Sequence, residues 1–194
     1  MKSIHPLAIL SACVLIAFPA FAQTSPNDTN LINNGKFEIA DAKGHPQDWE
    51  VSHPEFLKKC ETSVELISEG DQTFYRITKS AATGPGLGWQ RFDIPEGTGS
   101  LRIAAKMRGK NITRGAEGWN IPGLGLTYFY NNDQDTKPGS MDKWLKVPLG
   151  DSEWQEYESI IPVRDGATRV NVSVVGEGWT GTFDITDVVV EVVE

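Results

Sequence analysis

The chain predicts an all-β fold, an antiparallel β-sandwich, and three observations carry that expectation. Beyond residue 30 the sequence is cut into short β-rich runs separated by Gly, Pro, Asn and Asp. Several of these runs alternate apolar and polar residues with period two, the pattern of a sheet that covers a core on one face. No heptad and no long 3.6-residue periodicity competes with that pattern.

The runs, taken in order, are Leu31–Phe37, Thr62–Ile67, Thr73–Thr78, Trp89–Ile94, Leu101–Met107, Leu124–Tyr130, Trp144–Val147, Glu156–Ile161, Arg169–Val175 and Thr182–Val193. In Arg169-Val170-Asn171-Val172-Ser173-Val174 the valines take one face and the polar residues the other. In Leu101 to Met107 the odd positions are Leu, Ile, Ala and Met. Turns are marked by Glu69-Gly70-Asp71, Pro95-Glu96-Gly97 and Asp165-Gly166. Three segments read as loops able to carry function: 79–88, 109–123 and 131–142. There are no repeats and no sign of a second domain.

Residues 1–22 read as a secretory signal peptide. Lys2 gives the positive end, Leu7–Phe18 the apolar run, and Ala20-Phe21-Ala22 a small-residue cleavage site. Export to the periplasm or the medium follows. The alternative is lipoprotein anchoring at Cys13, since Leu10-Ser11-Ala12-Cys13 fits a lipobox; the apolar Val14–Phe18 that would then begin the mature chain argues against it. Cleavage after Ala22 leaves residues 23–194 as a single domain with no transmembrane segment. Of the 18 Lys and Arg only Lys2 is lost, so 17 basic residues face 26 acidic ones, a net charge of −9. Such a chain is a poor partner for nucleic acid or an anionic membrane and repels acidic polysaccharide. Cys60 is the one cysteine left, so no disulfide forms within the domain.

The two ends of the domain carry a specific pattern. Asn30-Leu31-Ile32-Asn33-Asn34-Gly35-Lys36-Phe37-Glu38 is followed by Gly44-His45-Pro46-Gln47-Asp48-Trp49, and Gly181-Thr182-Phe183-Asp184-Ile185-Thr186-Asp187-Val188 stands near the far end. These resemble the opening and closing strands of jelly-roll carbohydrate-binding modules of families four, nine and twenty-two. The resemblance implies a galactose-binding-like jelly roll and a non-catalytic sugar-binding role. It implies core positions for Trp49 and Trp154. It also implies a structural calcium held by the Lys36 backbone, Glu38 and an Asp of the closing strand. Aligned without a gap, that Asp falls on Thr186, leaving Asp187 as the nearest candidate.

Six tryptophans in one domain is a high count, and four lie near loops: Trp89, Trp119, Trp144 and Trp179. An indole stacks on the C–H face of a sugar ring while polar neighbours take the hydroxyls. Trp119, with the Asn120 amide beside it, is the first candidate for sugar contact. Tyr128 and Tyr130 share one face of their strand, and sequence leaves open whether that face is core or cleft. Catalytic patterns are thin. The domain holds His45 and His53 only, no nucleophile elbow, no zinc spacing, and carboxylates Glu156 and Glu158 that alternate like a solvent face. The sequence therefore points to a secreted carbohydrate-binding module for neutral polysaccharide or oligosaccharide, acting alone or beside a carbohydrate-active enzyme. The alternatives are a small jelly-roll glycoside hydrolase or polysaccharide lyase, and an envelope adhesion or structural domain.

Overall fold

The computed structural model describes residues 30–84, 88–130 and 141–193. The leader at 1–22 with Cys13, and most of the loop at 131–142, lie outside the described residues. Two five-stranded antiparallel sheets face each other. The first has the order β1-β4-β9-β6-β7, from Glu50–Val51, Gly88–Asp93, Arg169–Val175, Gly123–Phe129 and Lys143–Lys146. The second has the order β2-β3-β10-β5-β8, from Thr62–Glu69, Gln72–Lys79, Trp179–Val193, Ser100–Arg114 and Gly150–Pro162. This is the jelly-roll sandwich expected from the sequence.

Alternation builds the core. Val170, Val172 and Val174 point inward beside Leu124, Leu126 and Tyr128, and meet Leu101, Ile103, Met107, Phe183 and Ile185 of the other sheet. Full burial of a large aliphatic side chain contributes about 1.5–3 kcal/mol. With one free cysteine, Cys60, these contacts carry the stability of the fold.

The opening motif is not a strand. Residues 31–37 form turns, because Asn34 and Phe37 adopt φ of 49° and 57°, a left-handed conformation that breaks a ladder. Asn34 clasps this turn: its Oδ1 accepts from the Ile39 N–H, and its Nδ2 donates to the Ile39 and Gln47 carbonyls. The segment still docks on β10. Leu31 N–H donates to Val190 O at 2.7 Å, and Val188 N–H to Gly35 O at 2.9 Å. Asn30 donates to Val188 O and accepts from Val190 N–H. Phe37 then inserts into the core against Trp49, ring centroids 5.1 Å apart. Trp49 is buried, as expected.

Three further departures from the sequence reading matter. A six-residue helix α1, Pro54–Lys59, was not anticipated; Pro at its start, His53 as its cap and Lys58 and Lys59 in its last turn are local signals for it. β5 runs to Arg114, beyond the expected end at Met107, through a register shift between Gly109 and Ile112 that absorbs Asn111 at φ 54°. The loop read as 109–123 is therefore 115–122.

Gly35 is needed by close approach. A Cβ there would lie 2.1 Å from Val188 O. Gly35→Ala should therefore push the opening segment off β10 and lower stability by about 1–3 kcal/mol in a denaturant titration.

Candidate functional site

The outer face of the first sheet gathers two of the expected aromatics. Inward placement of Val172 and Val174 puts Asn171 and Ser173 outside, and inward Leu124 and Leu126 put Gly123, Gly125 and Thr127 outside. On β4, Trp89 and Arg91 face out, and on β7 Trp144 and Lys146. Strand register then sets one transverse row, Glu50–Trp89–Ser173–Gly125–Trp144, across all five strands. The backbones of the two tryptophans are three strand spacings apart, about 14 Å. Between them stand Ser173 and Gly125, two of the smallest residues. The next row is Arg91–Asn171–Thr127.

The chemistry of this face is aromatic and polar together. Trp89 and Trp144 are half-buried. The Trp144 indole leans over β6: a Cβ on Gly123 would lie 2.8 Å from its Nε1. Lys146 Nζ stands 4.6 Å from the Trp144 ring centroid, and the Arg91 guanidinium 4.4 Å from that of Phe129. Asn171 Nδ2 donates to Ser173 Oγ at 2.7 Å. Trp144 Nε1 and Asn171 Oδ1 are buried with no hydrogen-bond partner among the described residues. One is a donor and the other an acceptor, and a hydroxyl can answer either.

The other expected sugar-contacting residues are dispersed. Trp119 is 44 % exposed in the 115–122 loop. Asn120 beside it is buried; its Oδ1 accepts from Glu117 N–H at 2.8 Å and its amide packs on Gly178, so it fastens the loop instead of facing solvent. Trp179 is a core residue, 1 % exposed, with Nε1 donating to Gly176 O and its ring edge-on to Phe183. Neither Asn120 nor Trp179 can reach a ligand on an outer face. Tyr128 also points inward; its hydroxyl donates to Pro162 O at 3.2 Å, and burial pushes its pKa up to about 12. That resolves the tyrosine face as core. Tyr130 is half-buried just past β6, beside Gly166.

Trp154, expected in the core, lies on the outer face of the second sheet. It is half-buried, edge-on to Phe74 at 5.3 Å, with the Arg108 guanidinium 4.6 Å over its ring. The parity of β8 decides this: Tyr157 and Ile161 pack toward the core, so even positions face out. Beside Trp154, buried Asp184 is gripped by Arg76 through Nε and Nη2 at 2.8 Å each, and by Arg108 Nε at 2.7 Å. These hydrogen bonds raise the Arg76 pKa further.

The expected calcium corner has a different chemistry. The Thr186 hydroxyl donates to Thr73 O at 2.8 Å and shares its proton with Lys36 O at 3.4 Å. Asp187 is engaged by Lys106 at 2.8 Å, while Glu38 is exposed. The Lys36 carbonyl thus faces the weaker branch of a hydroxyl donor, and Asp187 already pairs with a cation. Among the described residues no group of three or more His, Cys, Asp or Glu side chains is placed to hold a metal. The paired Asp187 and the want of such a group argue against the expected ion.

No family model matches the chain, and no curated protein is detectably similar. Solved structures do match. The enzymatically active domain of tailspike protein 4 of bacteriophage CBA120 superposes with a TM-score of 0.57 at 13 % identity, over 85 % of this chain and 22 % of that one. The N-terminal endo-1,4-β-D-xylanase 10B of Clostridium thermocellum, with family 22 binding and family 10 hydrolase modules complexed with xylohexaose, superposes at 0.55 and 13 % identity, over 86 % of this chain and 29 % of that one. A candidate sugar-binding protein of Bacteroides thetaiotaomicron matches at 0.52 and 14 % identity, over 84 % of this chain and all of that one. This chain thus spans less than a third of the first two. What is shared is the jelly-roll fold. Among the described residues no helix is long and apolar enough to cross a membrane.

Thr186 gives a test of the calcium corner. Thr186→Val takes this donor from the Thr73 and Lys36 carbonyls and should cost about 0.5–1.5 kcal/mol. A chelator should leave the wild-type melting temperature unmoved.

Proposed function

We propose that this chain is a non-catalytic carbohydrate-binding module that takes an uncharged polysaccharide across the outer face of its first sheet. The observation that carries the proposal is the in-register row with Trp89 and Trp144 at its two ends and Ser173 and Gly125 between them. Two sugar faces can stack on the two indoles while the chain between them passes over small residues. Asn171, Thr127 and Ser173 offer hydrogen bonds along the same face. The overall charge of −8 favours neutral glycans over anionic ones. The leader-like segment at 1–22 supports export, and a carbohydrate-active enzyme is the natural companion of such a module.

The face is open, so affinities on the order of micromolar to millimolar are expected. Isothermal titration with xylan, mixed-linkage glucan and galactan oligosaccharides tests this. Trp89→Ala and Trp144→Ala should each weaken binding about tenfold or more while the protein still melts cooperatively. Trp179→Ala should instead unfold the domain, since loss of a core Trp costs about 3–5 kcal/mol. Unchanged binding in both surface variants, or release of reducing ends by the purified protein, would sink the proposal.

A further inference from the structure

The second sheet carries something that the first-sheet site does not use. Its outer face holds two adjoining cavities of about 560 and 540 Å3. Each is within the range of small-ligand pockets. They are separated by a ridge made of Trp154, Phe74 and Arg108, and they share Glu69.

The ridge is rigid. Register places Arg76, Asp184 and Arg108 in one row across β3, β10 and β5. Asp184, 3 % exposed, holds both guanidinium groups, and Glu69 accepts from Arg108 Nη2 at 3.1 Å through both oxygens. Arg76 and Arg108 lie 5.3 and 4.9 Å from the Phe74 ring centroid. The Trp154 indole is thereby fixed before any ligand arrives, which lowers the entropy cost of stacking on it.

The charges of the larger cavity point to the kind of ligand. Five carboxylates and two amines line it. Some are already engaged: Lys106 by Asp187 at 2.8 Å, Glu156 by Arg102 at 3.5 Å, Glu69 by Arg108. Among the described residues that leaves the Glu38 and Asp71 carboxylates and the Lys36 amine without partners. Gln72 and Gln155 add neutral donors and acceptors beside Trp154. A ligand that satisfies this set has a ring face for the indole, hydroxyls for the amides and a positive charge for the spare carboxylates.

We infer that the Trp154 cavity is a second binding site, on the sheet opposite the proposed polysaccharide face, for saccharides that carry protonated amino groups. The amine sits at Glu38 and Asp71, and the pyranose ring lies against Trp154. The site does not depend on the first-sheet row, and either can fail without the other.

The probe is a β-1,4-linked glucosamine trimer, titrated at pH 5.5 with chelator present, beside its N-acetylated counterpart. The free-amine trimer should bind at least tenfold more tightly, and the difference should shrink at high salt. Glu38→Gln with Asp71→Asn should abolish that preference. Trp154→Phe should weaken binding of both trimers several-fold while the melting temperature stays near wild type. Binding of the free-amine trimer should persist in Trp89→Ala. Equal affinity for the two trimers overturns the inference, as does a preference indifferent to the Glu38 and Asp71 changes. Loss of binding in Trp89→Ala places the ligand on the first sheet and overturns it as well.

Discussion

The register of β10 is the constraint on which the rest of this molecule depends. Its two neighbours, β3 and β5, make it the centre of the second sheet. The opening segment hangs on it through Asn30, Leu31 and Gly35. Its Thr186 hydroxyl ties the opening turn to β3, and its Asp184 locks the two arginines of the outer face. The strand achieves this by breaking step once. Between Thr186 and Val189 the pairing with β5 shifts, and Asp187 takes φ 50°. That irregularity lets Ile185 and Val188 both point into the core while Thr186 and Asp187 meet the opening segment and Lys106. A strict alternation through this stretch would have sent Val188 to solvent.

Because one central strand fixes both the opening segment and the outer rows, the two faces of the sandwich are positioned together but built differently. The first sheet presents small residues with aromatic ends, placed by strand register. The second presents an aromatic–guanidinium ridge held by a buried carboxylate. A buried carboxylate without partners would be costly, and three charge-assisted hydrogen bonds within 2.8 Å make Asp184 tolerable at 3 % exposure. The cost of removing one partner keeps such a cluster rigid: each guanidinium is held by the same carboxylate, so neither moves alone.

Much of the fold was legible from local pattern. The runs at 73–78, 89–94, 169–175 and 182–193 fall within observed strands or differ from them by a residue, because period-two alternation and turn residues are local properties. What the pattern could not supply was pairing. Ser173 and Gly125 look like ordinary alternating residues until register puts them between Trp89 and Trp144. Trp179 looks like a loop tryptophan because glycines flank it, yet those glycines let the chain turn tightly enough to bury it. At Gly176, φ 151°, a Cβ would lie 2.4 Å from its Nε1. Trp154 failed in the opposite sense: its motif suggested burial, and strand parity turned it outward. The opening motif reads as a strand in sequence, yet the segment docks on β10 by hydrogen bonds at both ends and is made by turns in space.

The two outer faces would respond to solution conditions in different ways, and that difference follows from how each is made. The proposed stacking on Trp89 and Trp144 would rest on dispersion and apolar burial, which salt leaves nearly untouched. The Trp154 cavity rests partly on spare carboxylates at the surface, whose reach is about 8–10 Å at physiological ionic strength. At that range the overall charge of −8 matters less than the few groups lining each face. The acidic surface as a whole discourages polyanions from approaching, while within one Debye length Lys146 over Trp144 on one side and Glu38 and Asp71 beside Trp154 on the other give the two faces opposite local charge. A single small sandwich can in this way hold two chemically distinct surfaces without a second domain, because two sheets packed about 10 Å apart keep the charges of their outer faces beyond a Debye length of one another.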